Sequence, residues 1–174
     1  MENTDGVNTA TARYGVSRLL GKFWQYAARH FPFLPARCRV RLQMLHGVNF
    51  DDGKTVFLGE DVYFDNLYPE LISVGRYVRI THGAKILSHF IDTKFIPEPN
   101  RPFRFFHGRV VIGDYVFIGT GAVIAKPVNI GAWAVIGANA VVTKDVPSGA
   151  IVAGSPANVV GYRNIQECPN DCTS

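Results

Sequence analysis

The chain has 174 residues, 47% of them hydrophobic, and a net charge of +4, which fits one globular domain with an appendage and excludes a disordered chain. The charge is uneven: residues 1–49 hold seven Lys or Arg (Arg13, Arg18, Lys22, Arg29, Arg37, Arg39, Arg41) against Glu2 and Asp5, so that segment is +5 and the remainder −1. No run approaches the ~18 uninterrupted apolar residues of a membrane span, and "MENTDGVNTATARYG" lacks the basic start and apolar stretch of a signal peptide, so a cytoplasmic protein is expected.

In chain order, residues 1–49 read as a helical segment. Leu19, Leu20, Phe23, Trp24, Ala27 and Phe31 recur at helical spacing after Ser17, a candidate N-cap, and before Pro32, a stop. A second short helix is predicted over "RCRVRLQMLHG", ending at Gly47. Two uses are open to such helices. They can cap the end of a repeat domain, or a basic helix with an aromatic face can lie on an anionic membrane surface; capping is the preferred reading.

Residues 50–163 are organised by a repeat of six. From Ile112 the aliphatic positions are Ile112, Ile118, Ile124, Ile130, Ile136 and Val142, and a small apolar set keeps the same period at Val116, Ala122, Val128, Ala134, Ala140 and Val146. A helix would repeat at about 3.6 residues, whereas six contains the strand period of two. Each hexad therefore predicts a short strand and a corner, with Gly113, Gly119, Gly131 and Gly137 supplying backbone freedom at the bend. Three corners close a triangle, so Ile112 is expected to stack on Ile130, Ile118 on Ile136 and Ile124 on Val142.

The same spacing appears earlier at Leu58 and Phe64 and at Val74, Ile80 and Ile86, with two interruptions. Ten residues separate Phe64 from Val74, and 26 separate Ile86 from Ile112. The second contains "FIDTKFIPEPNRPFRFFHGR", so residues 90–109 are predicted to leave the prism as a loop, and loops of that length are usually functional. Residues 164–174 read as a polar tail. Cys38, Cys168 and Cys172 are an odd set with no export signal, so no disulfide framework is expected, and "CPNDC" lacks the further ligands of a zinc site.

The stretch "IGDYVFIGTGAVIAKPVNIGAWAVIGANAVVTKDVPSGAIVAGSPANVV" resembles the hexapeptide-repeat acyltransferases, and "VVTKDVP…VAGSPA" is similar to the closing signature of that family. The resemblance covers residues 56–163. "DNLYPELISVGRYVRITHGAKILSHF" looks more narrowly like the acetyltransferases of bacterial polysaccharide biosynthesis. The resemblance implies a mainly β fold, a left-handed parallel β-helix, with a homotrimer, acetyl-CoA as donor and active sites between subunits. The hand does not follow from the repeat, because parallel crossovers are right-handed in ~98% of cases.

Acetyl transfer to an alcohol needs a base near the working pH, donors for the oxyanion and a grip on the donor. Histidine suits the base. His30 and His46 are expected on the surface or at helix caps, His82 at a solvated corner, and His107 in the loop as an acceptor contact. His89 stands at the junction of coils and loop, where the family's general base lies, and is the candidate catalytic residue. Asp65, Glu70 and Asp92 are available to hold its tautomer. By resemblance, Asp65, Asn66, Glu70, His107 and Phe117 are read as acceptor contacts, although relatives often have Asn at position 65 and Trp at 117. The resemblance further implies the Thr120 amide for the oxyanion, and Gly119, Ala138, Thr143, Lys144 and Arg163 for the acetyl-CoA; Arg163 stands in for a basic residue that many relatives carry at Asn158.

The reading is an acetyl-CoA-dependent O-acetyltransferase of a sugar hydroxyl, working without metal on a free or lipid-linked glycan and binding no nucleic acid. The aromatic and basic stretch from Phe103 to Arg109 could stack on the sugar. N-acetylation of an amino sugar or antibiotic would use the same base. A zinc hydratase built from His82, His89 and His107, and a non-catalytic scaffold, are the rival classes.

Overall fold

A computed structural model describes residues 16–31, 33–92 and 104–164. Two helices come first, α1 (Val16–His30) and α2 (Ala36–His46). Ser17 falls inside α1 rather than before it. The left-handed Gly47 closes α2 as expected, its N–H reaching the carbonyls of Gln43 and Met44, which satisfies the last turn.

The remainder is a left-handed parallel β-helix of short strands arranged on three faces. Face one holds β1 (Asn49–Phe50), β4 (Ile72–Val74), β9 (Val110–Ile112) and β12 (Asn129–Ile130). Face two holds β2 (Phe57–Leu58), β5 (Arg79–Ile80), β10 (Phe117–Ile118), β13 (Val135–Ile136) and β15 (Ala150–Ala153). Face three holds β3 (Tyr63–Phe64), β6 (Lys85–Ile86), β11 (Val123–Ile124) and β14 (Val141–Val142). The expected stacking is observed: Ile112 pairs with Ile130, Ile118 with Ile136, and Ile124 with Val142. Each aliphatic position and each small apolar position of the repeat is buried, so the prism is filled by the two periodic sets. At about 25 cal/mol per Å² of apolar surface, this stacked column is the principal favourable term in the fold.

The glycines act differently from the expectation. Gly113, Gly119, Gly131 and Gly137 are absent from the positive-φ positions. They are small because the coils stack closely there: a Cβ on Gly119 would lie 2.6 Å from the Ala138 nitrogen, and one on Gly131 2.4 Å from that of Ser148. The left-handed residue falls two places later. On the corner between faces one and two it is Tyr77, Tyr115, Trp133 and Gly149; between faces two and three it is Asp61, Gly83, Gly121 and Asn139. A left-handed conformation costs a bulky residue about 1–2 kcal/mol. At the first corner it is offset by ring stacking, Tyr77 on Tyr115 at 4.8 Å and Tyr115 on Trp133 at 4.0 Å.

The third corner, from face three back to face one, holds no left-handed residue among those described. Both interruptions of the repeat leave there. The first runs from Asp65 to a 3-10 turn at Pro69–Leu71. The second begins as β7 (His89–Ile91), which pairs antiparallel with β8 (Phe105–His107), aligning His89 with His107 and Phe90 with Phe106. The predicted loop therefore has an ordered two-stranded base; Phe103, like residues 93–102, lies outside the described residues. After β15 the chain reverses into β16 (Asn158–Tyr162), an antiparallel edge strand that the period of six did not announce. Cys168 and Cys172 also fall outside the described residues.

Candidate functional site

Asp65 is the first residue after β3 and His89 the third after β6, so both emerge from face three at the same corner on successive coils. Asp65 is fully buried. Its Oδ2 accepts the N–H groups of Ser88 (2.9 Å) and His89 (3.0 Å), and its Oδ1 accepts that of Leu67 (2.8 Å). The same Oδ2 is hydrogen-bonded to Nδ1 of the His89 ring. Burial alone would raise the Asp65 carboxyl, but the bonds from His89, Leu67 and Ser88 outweigh it and hold the group at about 2. The Asp65 bond in turn raises the His89 imidazole above its ordinary value against the opposing effect of burial.

This placement corrects the reading of Asp65 as an acceptor contact. A carboxylate with no exposed surface and both oxygens engaged cannot touch a substrate, and it is the group that holds the His89 tautomer. With Nδ1–H directed at Asp65, the lone pair falls on Nε2. Ser88, also buried, fixes the neighbouring loop by donating from Oγ to the Tyr68 carbonyl at 2.9 Å.

Around the imidazole stand Tyr68, at 6.4 Å and edge-on, and Phe105, at 6.2 Å. Tyr68 stacks on His107 at 4.6 Å and 17°, making a flat platform beside His89. The repeat could not single out Tyr68, because it lies in the first interruption where the period is suspended. Asn66 is partly buried, and its Oδ1 is buried with no hydrogen-bond partner among the described residues. Glu70 is exposed on the 3-10 turn, its carbonyl receiving the Asn49 side chain at 2.8 Å.

A second group lies on the corner between faces two and three. Thr120 is exposed there, Gly119 packs against the backbone of Ala138, and the Thr120 carbonyl accepts the Asn139 N–H at 2.8 Å. Phe117 sits beside this column on face two, between Arg79 and Val135. Thr143 and Lys144 follow β14 at the far end of face three, and Lys144 is exposed. Arg163 is not brought to these residues. Its N–H is held by the Gly149 carbonyl at 2.8 Å, at the opposite end of β16 from Asn158, because β16 runs back along face two.

The other histidines separate clearly. His82 is exposed at the second corner, whereas His89 and His107 are paired across the arm at the third, so the three do not converge. Among the described residues no group of three or more His, Cys, Asp or Glu is placed to hold a metal. His46 is buried rather than on the surface, and burial lowers its pKa to about 4, with the Asp65 charge opposing. His30 is exposed against Tyr26 at 4.4 Å.

Comparison with known proteins agrees with the fold. Residues 109–144 match the model described as bacterial transferase hexapeptide (six repeats). Protein CapG of Staphylococcus aureus is 43% identical over 96 residues, which is 53% of this chain and 53% of CapG. The putative acetyltransferase YvoF of Bacillus subtilis is 37% identical over 108 residues, 62% of this chain and 58% of YvoF. The chain thus spans little more than half the length of these curated relatives. A hexapeptide-repeat-containing acetyltransferase from Vibrio cholerae shares the fold with a TM-score of 0.65 at 25% identity, over 88% of this chain and 94% of that one; it has also been solved with acetyl coenzyme A bound.

Proposed function

We propose that this hexapeptide-repeat chain is an acetyl-CoA-dependent O-acetyltransferase acting on a sugar hydroxyl of a surface polysaccharide or its lipid-linked precursor. The observation that carries the proposal is the bond from His89 Nδ1 to the buried Asp65 carboxylate. A sugar hydroxyl is hardly ionised at neutral pH, so a base must take its proton as the oxygen attacks. His89 Nε2 performs that step, and Asp65 fixes the ring and stabilises the imidazolium that forms. The oxygen attacks the thioester carbonyl, the oxyanion is met by the Thr120 N–H, and the C–S bond breaks. The departing thiolate then recovers the proton from His89. Cys38, the one cysteine among the described residues, lies on α2 rather than on the coils or arm that carry His89, and the transfer is read as direct.

Tyr68, His107, Phe105 and Glu70 form the acceptor side, a stacked pair with an acidic neighbour that suits the apolar face and hydroxyl rim of a pyranose. Gly119, Ala138, Thr143 and Lys144 form the donor side. Gly119, Thr120 and Ala138 lie across face three from His89, on the order of 15 Å of extended chain, whereas Thr143 and Lys144 follow β14 on the His89 corner, farther along the prism. A cyclic homotrimer would place the donor corner of one copy against His89 of the next. The similarity to acetyltransferases and the acetyl coenzyme A held by the Vibrio protein support the choice of donor.

The test is release of free thiol from acetyl-CoA over a panel of sugars and lipid-linked glycans. His89→Ala is expected to lower turnover by ~10²–10⁴-fold while calorimetry shows acetyl-CoA still bound. Wild-type turnover in that variant would overturn the assignment.

A further inference from the structure

The N-terminal helices pack with their faces reversed. Leu19, Phe23, Tyr26 and His30 follow one another at spacings of four, three and four, one stripe along α1, and all are exposed, Phe23 at 57% and Tyr26 at 61%. The opposite face of α1 is small and polar, and that face is inward: Gly21, Gln25 and Ala28 are buried, with Gln25 Nε2 donating to the Phe64 carbonyl. The second helix repeats the pattern. On α2, Arg39, Gln43 and His46 are buried beside one core residue, Val40, while Met44 and Leu45 are exposed. Phe33, in the link between them, is 96% exposed. The helices meet the first coil largely through polar side chains.

Large contiguous apolar exposure on a soluble surface marks an interaction site. The charge around it identifies the partner. No acidic residue occurs between Asp5 and Asp51. Of the cations there, Arg29 and Arg39 are tied to Asp61 and Glu60 of the first coil, while Arg37 and Arg41 project from the exposed side of α2. A second copy placed on this surface would bring like charges together without a carboxylate to answer them. A bilayer carrying anionic lipid offers both an apolar layer for the aromatic stripe and phosphates for the arginines. No helix among the described residues is long and apolar enough to cross a membrane, so the contact is with the bilayer surface.

We infer that the reversed α1–α2 hairpin is a docking surface for an anionic lipid bilayer, with Leu19, Phe23, Tyr26 and Phe33 entering the headgroup boundary and Arg37 and Arg41 meeting lipid phosphate. This inference does not depend on the reaction assigned above, since none of these residues belongs to the His89 corner.

The test is co-sedimentation of the full chain with vesicles of phosphatidylcholine alone and with ~30% phosphatidylglycerol. Binding is expected to the anionic vesicles and to weaken in high salt. Arg37→Glu and Arg41→Glu should each weaken partition about five-fold or more. Phe23→Ser should weaken it about ten-fold or more, while thermal unfolding and oligomeric mass stay unchanged because the side chain is exposed. Absence of binding to either vesicle, or equal binding by wild type and all three variants, would overturn the inference. So would a fall in oligomeric mass in Phe23→Ser, which would assign the stripe to a contact between copies.

Discussion

Replacing Asp65 by Asn separates its two candidate roles more sharply than any other single change. The substitution keeps the size of the side chain and an oxygen able to accept an N–H, but removes the charge. With the carboxyl held at about 2 against an ordinary 3.8, the native environment favours the charged form by about 2 kcal/mol. Because the folded value lies below the unfolded one, that stability is present above pH ~4 and is lost as pH falls through about 2. Asp65→Asn should therefore lower the melting temperature near neutral pH by about 4–8 °C, and the gap to wild type should close toward pH 2. The kinetic consequence runs in parallel. Asp65 raises the His89 imidazole, so its loss should move the acidic limb of kcat/KM to lower pH and reduce kcat by ~10²-fold or more through loss of the correct tautomer. KM for the sugar should hardly change, since Asp65 has no surface to offer it. A raised acceptor KM with kcat and the pH profile intact would refute the positioning role and restore Asp65 as an acceptor contact.

Two further outcomes test the assembly and the prism. If each site takes His89 from one copy and the donor corner from the next, His89→Ala and Ala138→Trp should each be inactive alone, yet recover up to about a quarter of wild-type activity when co-expressed and randomly mixed; no recovery would place the whole site within one chain. Gly131→Ala puts a methyl 2.4 Å from the Ser148 nitrogen and should cost about 1–3 kcal/mol, a fall of about 3–10 °C in melting temperature. Gly131→Asn should be equally harmful, whereas Gly83→Asn, at φ +70 with nothing closer than 3.9 Å, should be tolerated; calorimetric unfolding distinguishes the two kinds of glycine.

The prism was legible because its side chains answer to one geometric rule. A stacked coil repeats its contacts every 18 residues, so Ile118 and Ile136 announce each other by their spacing alone. His89 was singled out for the opposite reason: it marks where the rule stops. What lay in the interruptions was harder. Asp65 and His89 are 24 residues apart, and nothing periodic relates them. Their meeting depends on β3 and β6 lying in register on face three, so that residues just beyond Phe64 and Ile86 leave the same corner one coil apart. Once that register is known, the pairing follows; from composition and spacing alone, a carboxylate after a strand is equally an acceptor contact or an orienting group. Arg163 failed similarly, because its position is set by the reversal of β16, which follows a different pattern from the hexads.

The helices show a limit of a different kind. Periodicity establishes that Leu19, Phe23 and Tyr26 share a face of α1, but it does not decide whether that face is buried. In an isolated globular domain the apolar side goes inward by default. The first coil instead presents polar groups to its cap: the carbonyls of Phe64 and Leu58, and the carboxylates of Glu60 and Asp61. These select Gln25, Arg29 and Arg39. An open β-helix end is a row of unpaired backbone groups, so it is better capped by hydrogen-bonding side chains than by leucine and phenylalanine. The apolar stripe is then turned outward by the same contacts that hold the helices on the first coil. Packing on the first coil and the proposed bilayer docking, which the sequence offered as alternatives, are compatible in this hairpin because they use opposite faces.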